Sequence, residues 1–209
     1  TDPDGVPASG ITYQWKADGT NISGATSSTY TLTNAEVGKA ITVVASYTDS
    51  RSTAETVTSS ATSAVTNTND AGSIAISGTA TQGQTLTTNI TDPDGVPASG
   101  ITYQWKADGT NISGATSSTY TLTNAEVGKA ITVVANYTDN GSTAETVTSS
   151  ATAVVVNVND AGSIAITGTA TQGQTLSTTI TDPDGVPASG ITYQWKADGT
   201  NISGATSST

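Results

Sequence analysis

Three short kinds of segment concentrate the side chains best suited to hold a hard cation. Asp92-Pro93-Asp94-Gly95 sets two carboxylates two residues apart, Asp139-Asn140 adds a carboxylate and an amide, and Asn159-Asp160 repeats Asn69-Asp70. Ca²⁺ takes roughly six to eight oxygen ligands from carboxylates, amides and carbonyls, so convergence of these segments would build a site for it. Asn69 and Asp70 are expected to approach Asp92, Asp94 and Asp139, while Asn159 and Asp160 approach Asp182 and Asp184. Glu36 or Glu126, at a corner of the preceding repeat, points toward the same junction and offers a further ligand. The same residues also make ordinary turns, because Asp accepts hydrogen bonds from nearby backbone N–H groups and Pro fixes φ. On the sequence both readings stay open.

Other chemistry is poorly provided for. The chain has no His and no Cys, which removes the usual general base, the thiol nucleophile and the commonest transition-metal ligands together. Five Lys scattered among many Ser make a catalytic Ser–Lys pair a matter of chance proximity. The expectation is that the protein is not an enzyme. Seventeen acidic against six basic residues give a net charge of -11, a surface that repels nucleic acid and anionic membranes. The apolar runs fall far short of the roughly 18 residues that a spanning helix needs, so no membrane insertion is expected. Abundant Thr, Ser, Gly, Ala and Asn with 11% charged residues point to an extracellular β-rich protein.

What positions the acidic segments is a repeat. The run TDPDGVPASGITYQWKADGTNISGATSST begins at Thr1, Thr91 and Thr181, which sets a period of 90 residues. A unit of this length is too long for a solenoid turn and right for a self-contained sandwich. The clusters around Asn69-Asp70 and Asn159-Asp160 carry turn residues between apolar-alternating runs and mark the boundaries. They divide the chain into a partial module 1–70 lacking its first two strands, a complete module 71–160, and a partial module 161–209. The expected architecture is all-β: tandem immunoglobulin-like antiparallel β-sandwiches arranged as beads on a string.

Within 71–160 the strands follow from period-two alternation. Ile101, Tyr103 and Trp105 alternate with Thr102, Gln104 and Lys106, and face a strand in which Ile131, Val133, Ala135 and Tyr137 alternate with Thr132, Val134 and Asn136. Trp105 and Tyr103 therefore belong to the core and do not form a sugar-stacking platform. Strands are expected over 73–77, 85–91, 100–107, 111–113, 119–123 and 130–138, with the last inside 145–157. Asp108-Gly109 makes one hairpin turn, and Asp139-Asn140-Gly141 another, with Asn and Gly supplying positive φ. Residues 124–128 make a single helical turn or corner.

Ten positions differ between residues 1–90 and 91–180: 46, 50, 51, 63, 64, 66, 68, 77, 87 and 89 against their partners. With Leu86, Thr88 and Ile90 pointing inward, nine of the ten fall on the expected solvent side or in the 139–141 hairpin. Ser63/Ala153 alone falls in the inward phase. A register wrong by one residue would send these substitutions into the core.

The run ITYQWKADGTNISGATSSTYTLTNAEVGKAITVVASYTD, followed by SSAT, NVND and GTATQGQTL, resembles the tandem immunoglobulin-like repeats of very large bacterial surface proteins. These are the repetitive or RTX-type adhesins, with cadherin-like and similar β-sandwich extender modules. The resemblance covers the whole 90-residue unit. It implies export to the cell surface, a stiff spacer role in adhesion or biofilm, neighbouring repeats as partners, and Ca²⁺ at module junctions. The longer cadherin linker signature is absent around Asn159-Asp160.

Three functions are therefore carried forward. The first is an extracellular spacer of a surface adhesin, and the second a weak multivalent glycan- or protein-binding repeat gaining by avidity. The third is a filament subunit completed by strand complementation, since a half sandwich exposes an apolar face and open strand edges. A window cut from a longer fibre explains the half modules better, because 1–29 duplicates 181–209 instead of complementing it.

Overall fold

The computed structural model describes residues 2–209 and is all-β, with fifteen strands. In chain order these are β1 (Thr12–Ala17), β2 (Thr20–Asn21), β3 (Ile41–Thr48), β4 (Ala54–Thr58), β5 (Ser73–Ser77) and β6 (Thr85–Thr91). There follow β7 (Thr102–Ala107), β8 (Thr110–Asn111), β9 (Thr119–Thr121), β10 (Ile131–Thr138) and β11 (Ala144–Thr148). The last are β12 (Ser163–Thr167), β13 (Ser177–Thr181), β14 (Lys196–Ala197) and β15 (Thr200–Asn201). Single 3₁₀ turns stand at Asn34–Glu36 and Asn124–Glu126, the expected corners. Among the described residues no helix is long and apolar enough to cross a membrane.

The sheets are antiparallel and have the two-layer logic of a β-sandwich. One has the order β2-β1-β3-β4, another β11-β10-β7-β8, and a third β5-β6-β9; β12-β13 and β14-β15 are two-stranded. The Trp-bearing strand does not lie across the sandwich from the Ile-Val-Ala-Tyr strand. The two are neighbours in one sheet, with Trp15 of β1 opposite Val43 of β3.

The chain divides into two compact units. The first comprises the chain through Ser73 together with Ile90–Ile101 and Asn136–Val147; the second comprises Ile74–Asn89, Thr102–Ala135 and Thr148–Thr209.

In the second unit the alternation read from the sequence appears directly as burial. Leu86, Trp105, Leu122, Ile131, Val133, Ala135 and Val155 are at most 2% exposed, and Val154 and Val156 on either side of Val155 are 58% exposed. The Trp105 ring lies 6.0 Å from Tyr120 at a 32° tilt, and its indole N–H donates to the Ser117 carbonyl at 2.8 Å. An aromatic pair with its one polar group satisfied is what a small sandwich needs at its centre. The flanking copies of these residues are far less covered: Leu32 is 47% exposed where Leu122 is 1%, and Ile164 61% where Ile74 is 8%.

None of the ten differing positions is buried in either copy. That includes Ser63/Ala153, the pair expected to point inward. A bulge explains the discrepancy. Ser149 pairs its N–H with Val133 O, and Thr152 pairs its N–H with Ile131 O, so three residues on one chain span two on the other. The extra residue shifts the phase locally, leaving Thr152 half-buried and Ala153 exposed, and the original phase is regained at Val155. The last strand is accordingly split into β11 and a separate pairing segment, where Val154 bridges Ala130 and Val155 bridges Val127.

The 139–141 hairpin also differs from expectation. The left-handed residue is Ser142, at φ 71°, and neither Asn140 nor Gly141 has positive φ. The loop is closed by Asp139 N–H to Thr143 O at 2.9 Å and Ser142 N–H to Asp139 O at 3.2 Å. This explains why the first copy carries Arg51 where the second has Gly141: with the left-handed step one residue later, at Ser52, the position accepts any side chain. The other hairpin is as expected, with Asp108 at φ 45° followed by Gly109 at φ 78°.

Candidate functional site

The acidic segments that meet at the Asn69-Asp70 linker do not form one cluster. They form two, built on opposite principles.

The first cluster is a hydrogen-bonded joint. Asp92-Pro93-Asp94-Gly95 is a turn closed by Gly95 N–H to Asp92 O at 3.0 Å, and the Asp92 carboxylate caps it by accepting from Asp94 N–H at 2.8 Å. The turn presents the Asp94 carboxylate to the linker, where Oδ2 accepts the Asp70 backbone N–H at 2.7 Å. The Asn34 amide nitrogen donates to Asp70 Oδ2 at 3.2 Å, Pro93 O at 3.1 Å and Asp94 Oδ1 at 3.1 Å. Carboxylates supplied with N–H donors in this way are satisfied without a metal. Asn34 was not singled out on the sequence. Its signal is its place at the start of the Asn34–Glu36 turn, which aims its side chain outward while Glu36 folds back.

Glu36 and Glu126 do not reach the junction as ligands. Each is 4% exposed and closes a capping box on its own corner. Glu126 Oε2 accepts from Thr123 N–H at 2.9 Å and from Thr123 Oγ1 at 2.7 Å, while Thr123 Oγ1 accepts from Ala125 N–H at 3.2 Å. A carboxylate engaged by its own turn and by the tyrosine beside it is not turned toward the junction. For Glu36, burial pushes the carboxyl pKa up, but hydrogen bonds from Thr33 and Tyr30 outweigh it and hold the group below its ordinary value.

The same joint recurs 90 residues later in the second unit. Asp160 N–H donates to Asp184 Oδ2 at 2.8 Å, Asp184 N–H to Asp182 Oδ1 at 2.9 Å, and the Asn124 amide to Pro183 O. Here Gln82 adds a clasp, donating to Asp160 Oδ2 at 2.6 Å and accepting from Val158 N–H at 3.1 Å. Asn159 precedes it at an exposed position.

The second cluster of the first unit contains Asp92, Asp139 and Glu145, each with an oxygen within 4.8 Å of the others'. Tyr137 OH donates to Asp92 Oδ2 at 2.7 Å, and the Asn69 amide nitrogen donates to Glu145 Oε1 at 2.8 Å. The tyrosine's proton is held well above the ordinary phenol range, first by burial, then by the Asp92 hydrogen bond and the surrounding carboxylates. Gly72 is required where the linker crosses this cluster, because a Cβ there would sit 1.9 Å from Tyr137 OH and 2.8 Å from Asp92 Oδ2. Glu145 was missed on the sequence; it stands on β11, inside a stretch whose register the alternation alone does not anchor.

Of the nine residues expected to gather, Asp70 and Asp94 thus belong to the joint, Asp139 to the carboxylate cluster, and Asp92 to both. Asn69 touches the cluster through Glu145, and Asp160, Asp182 and Asp184 repeat the joint.

Comparison with known proteins gives one informative likeness. The chain is 30% identical over 218 aligned positions to the "Highly immunogenic outer capsid protein" of Enterobacteria phage T4, an alignment covering 98% of this chain and 57% of that protein. The chain thus spans somewhat over half the length of the curated relative it matches. No protein-family model and no solved structure matches it.

Proposed function

We propose that this chain is a non-catalytic structural segment of an extracellular surface, a spacer whose repeats are pinned to their linkers. The observation that carries this reading is the recurrence of one joint: Asn34, Asp70 and Asp94 in one copy, Asn124, Asp160 and Asp184 in the next. A linker N–H held by the turn of the following repeat, with an asparagine of the preceding corner bonded to the same turn, restrains the angle between them. A receptor-binding surface has no need of such a device at every period. The lack of His and Cys supports a non-catalytic role, and the likeness to an outer capsid protein supports a surface-exposed one. The resemblance of the repeats to adhesin extender modules gives the finer form of the reading: a stalk that holds an adhesive domain away from a cell, in adhesion or biofilm.

Small-angle scattering tests it. Asn34→Ala combined with Asn124→Ala should leave each sandwich folded and increase the scattering signature of flexibility. Unchanged curves would mean that the joints do not stiffen the chain.

A second reading is favoured by one observation. Residues Trp15, Tyr30, Leu32, Val37, Ile41 and Val65 line an open groove of about 600 Å³, and the β12-β13 hairpin leaves Ile164 and Ile166 61% and 63% exposed. In the middle copy the equivalent hairpin, β5-β6, has Ile74 buried. A filament in which the hairpin of one chain covers the groove of another would use both faces. Sedimentation that shows concentration-dependent assembly, abolished by Ile166→Ser, supports that arrangement; a monomer at all concentrations rules it out.

A further inference from the structure

We propose that Asn140 is a site of spontaneous modification: it converts, through a cyclic imide with Gly141, to isoaspartate and aspartate, and the conversion loosens the joint beside it. The conversion stands on local geometry and chemistry alone; its effect on the joint rests on the spacer reading.

Asn140-Gly141 is the sole Asn-Gly step in the chain. In such a step the glycine backbone nitrogen attacks Cγ of the asparagine side chain. The new N–Cγ bond closes the imide, the Cγ–Nδ2 bond breaks, and ammonia leaves carrying the proton from the glycine N–H. Water then adds across either imide C–N bond and gives aspartate or isoaspartate. With no Cβ, glycine leaves its nitrogen open to approach and its backbone free to turn. Both groups that must react are unengaged here. Asn140 is exposed on the loop between β10 and β11, and its side-chain amide has no hydrogen-bond partner among the described residues. The Gly141 N–H has none either, whereas the equivalent Arg51 N–H of the first copy donates to Asp49 Oδ1 at 2.8 Å.

The first copy carries Ser50-Arg51 in place of this pair, in a loop otherwise alike. Asp49 N–H bonds Thr53 O as Asp139 N–H bonds Thr143 O, and Ser50 N–H bonds Gly5 O as Asn140 N–H bonds Gly95 O. The reactive pair is thus confined to one copy, and the loop does not need it in order to form.

Its position gives the conversion a consequence. Asn140 N–H donates to Gly95 O at 3.0 Å, and its side chain lies so close over that turn that a Cβ on Gly95 would sit 2.5 Å from Nδ2. Asn140 shares a cavity of about 220 Å³ with Asn34, Pro93 and Asp94. These are the residues that hold the linker, with Asp94 Oδ2 on the Asp70 N–H and the Asn34 amide on Asp70 Oδ2, Pro93 O and Asp94 Oδ1. A carboxylate in place of the Asn140 amide repels Asp94 and Asp70 and competes for the Asn34 donors. Isoaspartate also adds a methylene to the main chain where the hairpin bonds the turn. The joint at Asp70 therefore weakens with the age of the chain.

The test ages the full chain in warm, mildly alkaline buffer and maps its peptides by mass spectrometry for replacement of NH by O. Hydrogen exchange at the Asp70 amide is read on the same samples, fresh and aged. The Asn140 peptide should convert, to isoaspartate as well as aspartate, while the other asparagines stay intact. Gly141→Arg should slow the conversion at least about tenfold, because a side chain hinders ring closure and restricts the backbone. Asn140→Ser should abolish it at this position. Both variants install the residue that the first copy carries in the same loop. Aged wild type and fresh Asn140→Asp should each lose protection at Asp70, and aged Asn140→Ser should keep it. No conversion at Asn140, or conversion no faster there than at other asparagines, overturns the proposal. Conversion that leaves Asp70 protected overturns the loosening. An Asp70 amide already unprotected in fresh protein overturns the spacer reading and the loosening with it, while the peptide map still decides the modification.

Discussion

Tyrosine hydroxyls report the acidic surroundings most directly. Burial, followed by the charge of and hydrogen bond to Glu126, pushes the Tyr120 phenol up to about 12, and Tyr137 is raised by burial and then by Asp92. Both therefore hold their protons more tightly in the folded chain than in the unfolded one, where the phenol titrates near about 10. Their contribution to stability is complete below that value. As pH rises past it the unfolded state loses its protons first, and folding free energy falls until the folded pKa is reached. Urea unfolding at about pH 9 and about pH 11 should show the loss, and Tyr137→Phe should flatten it. The same variant should cost about 1.5–3 kcal/mol near neutrality, because it leaves Asp92 without the phenol donor in a partly buried site.

The capping boxes belong to this scale too. Thr123→Ala removes the side-chain oxygen that accepts from Ala125 N–H and the donor to Glu126, leaving a buried carboxylate less well answered. It should destabilise the second unit by about 1–2 kcal/mol, read as a lower urea midpoint with unchanged slope. The sequence shows the Thr-x-x-Glu pattern at both corners, so this use of Glu36 and Glu126 was legible there. Proximity to the junctions makes the same residues candidate ligands, although the pattern itself commits each to its own corner.

At the scale of elements, alternation was a faithful guide wherever a strand was long and one face was apolar. β5 and β6 fall at Ser73–Ser77 and Thr85–Thr91 as expected, and Leu86 is fully buried while its neighbours Thr85 and Thr87 are exposed. Legibility failed where backbone geometry and not side-chain pattern decides. The bulge between Ser149 and Thr152 shifts the phase locally without an apolar marker, and the left-handed step falls on Ser142 because loop closure, not residue preference, places it there. Nothing in composition announced either. The two copies of one leucine offer a controlled test of what the layers contribute. Leu122→Ala, at 1% exposure, should cost about 2–5 kcal/mol. Leu32→Ala, at 47% exposure, should stay within about 0.5 kcal/mol. Equal losses would mean that the groove beside Leu32 is covered in solution, and would favour the filament.

Across the whole molecule the period of 90 residues does two things at once. It repeats a core whose inward residues never vary between copies, and it repeats the joint that ties each linker to the next turn. Sequence spacing foresaw that Asp70 would meet Asp94 and that Asp160 would meet Asp184. It did not foresee that backbone N–H groups, with Asn34 or Asn124 beside them, would answer those carboxylates, because hydrogen-bond partners depend on orientation as well as proximity. Nor could it separate this joint from the Asp92, Asp139 and Glu145 cluster a few residues away, which rests on the pairing of β11 with β10.

The central claim is that the linkers are held by these joints and do not swing freely, and amide hydrogen exchange at Asp70 and Asp160 addresses it in a single spectrum. Asp70 is exposed and Asp160 half-buried, so strong protection of their N–H groups must come mainly from Asp94 Oδ2 and Asp184 Oδ2. The account predicts that both amides exchange slowly, like strand amides, and that Asp94→Ala and Asp184→Ala release each one separately. Exchange of both at the rate of an unstructured peptide would contradict it, and the repeats would then be beads on a loose string.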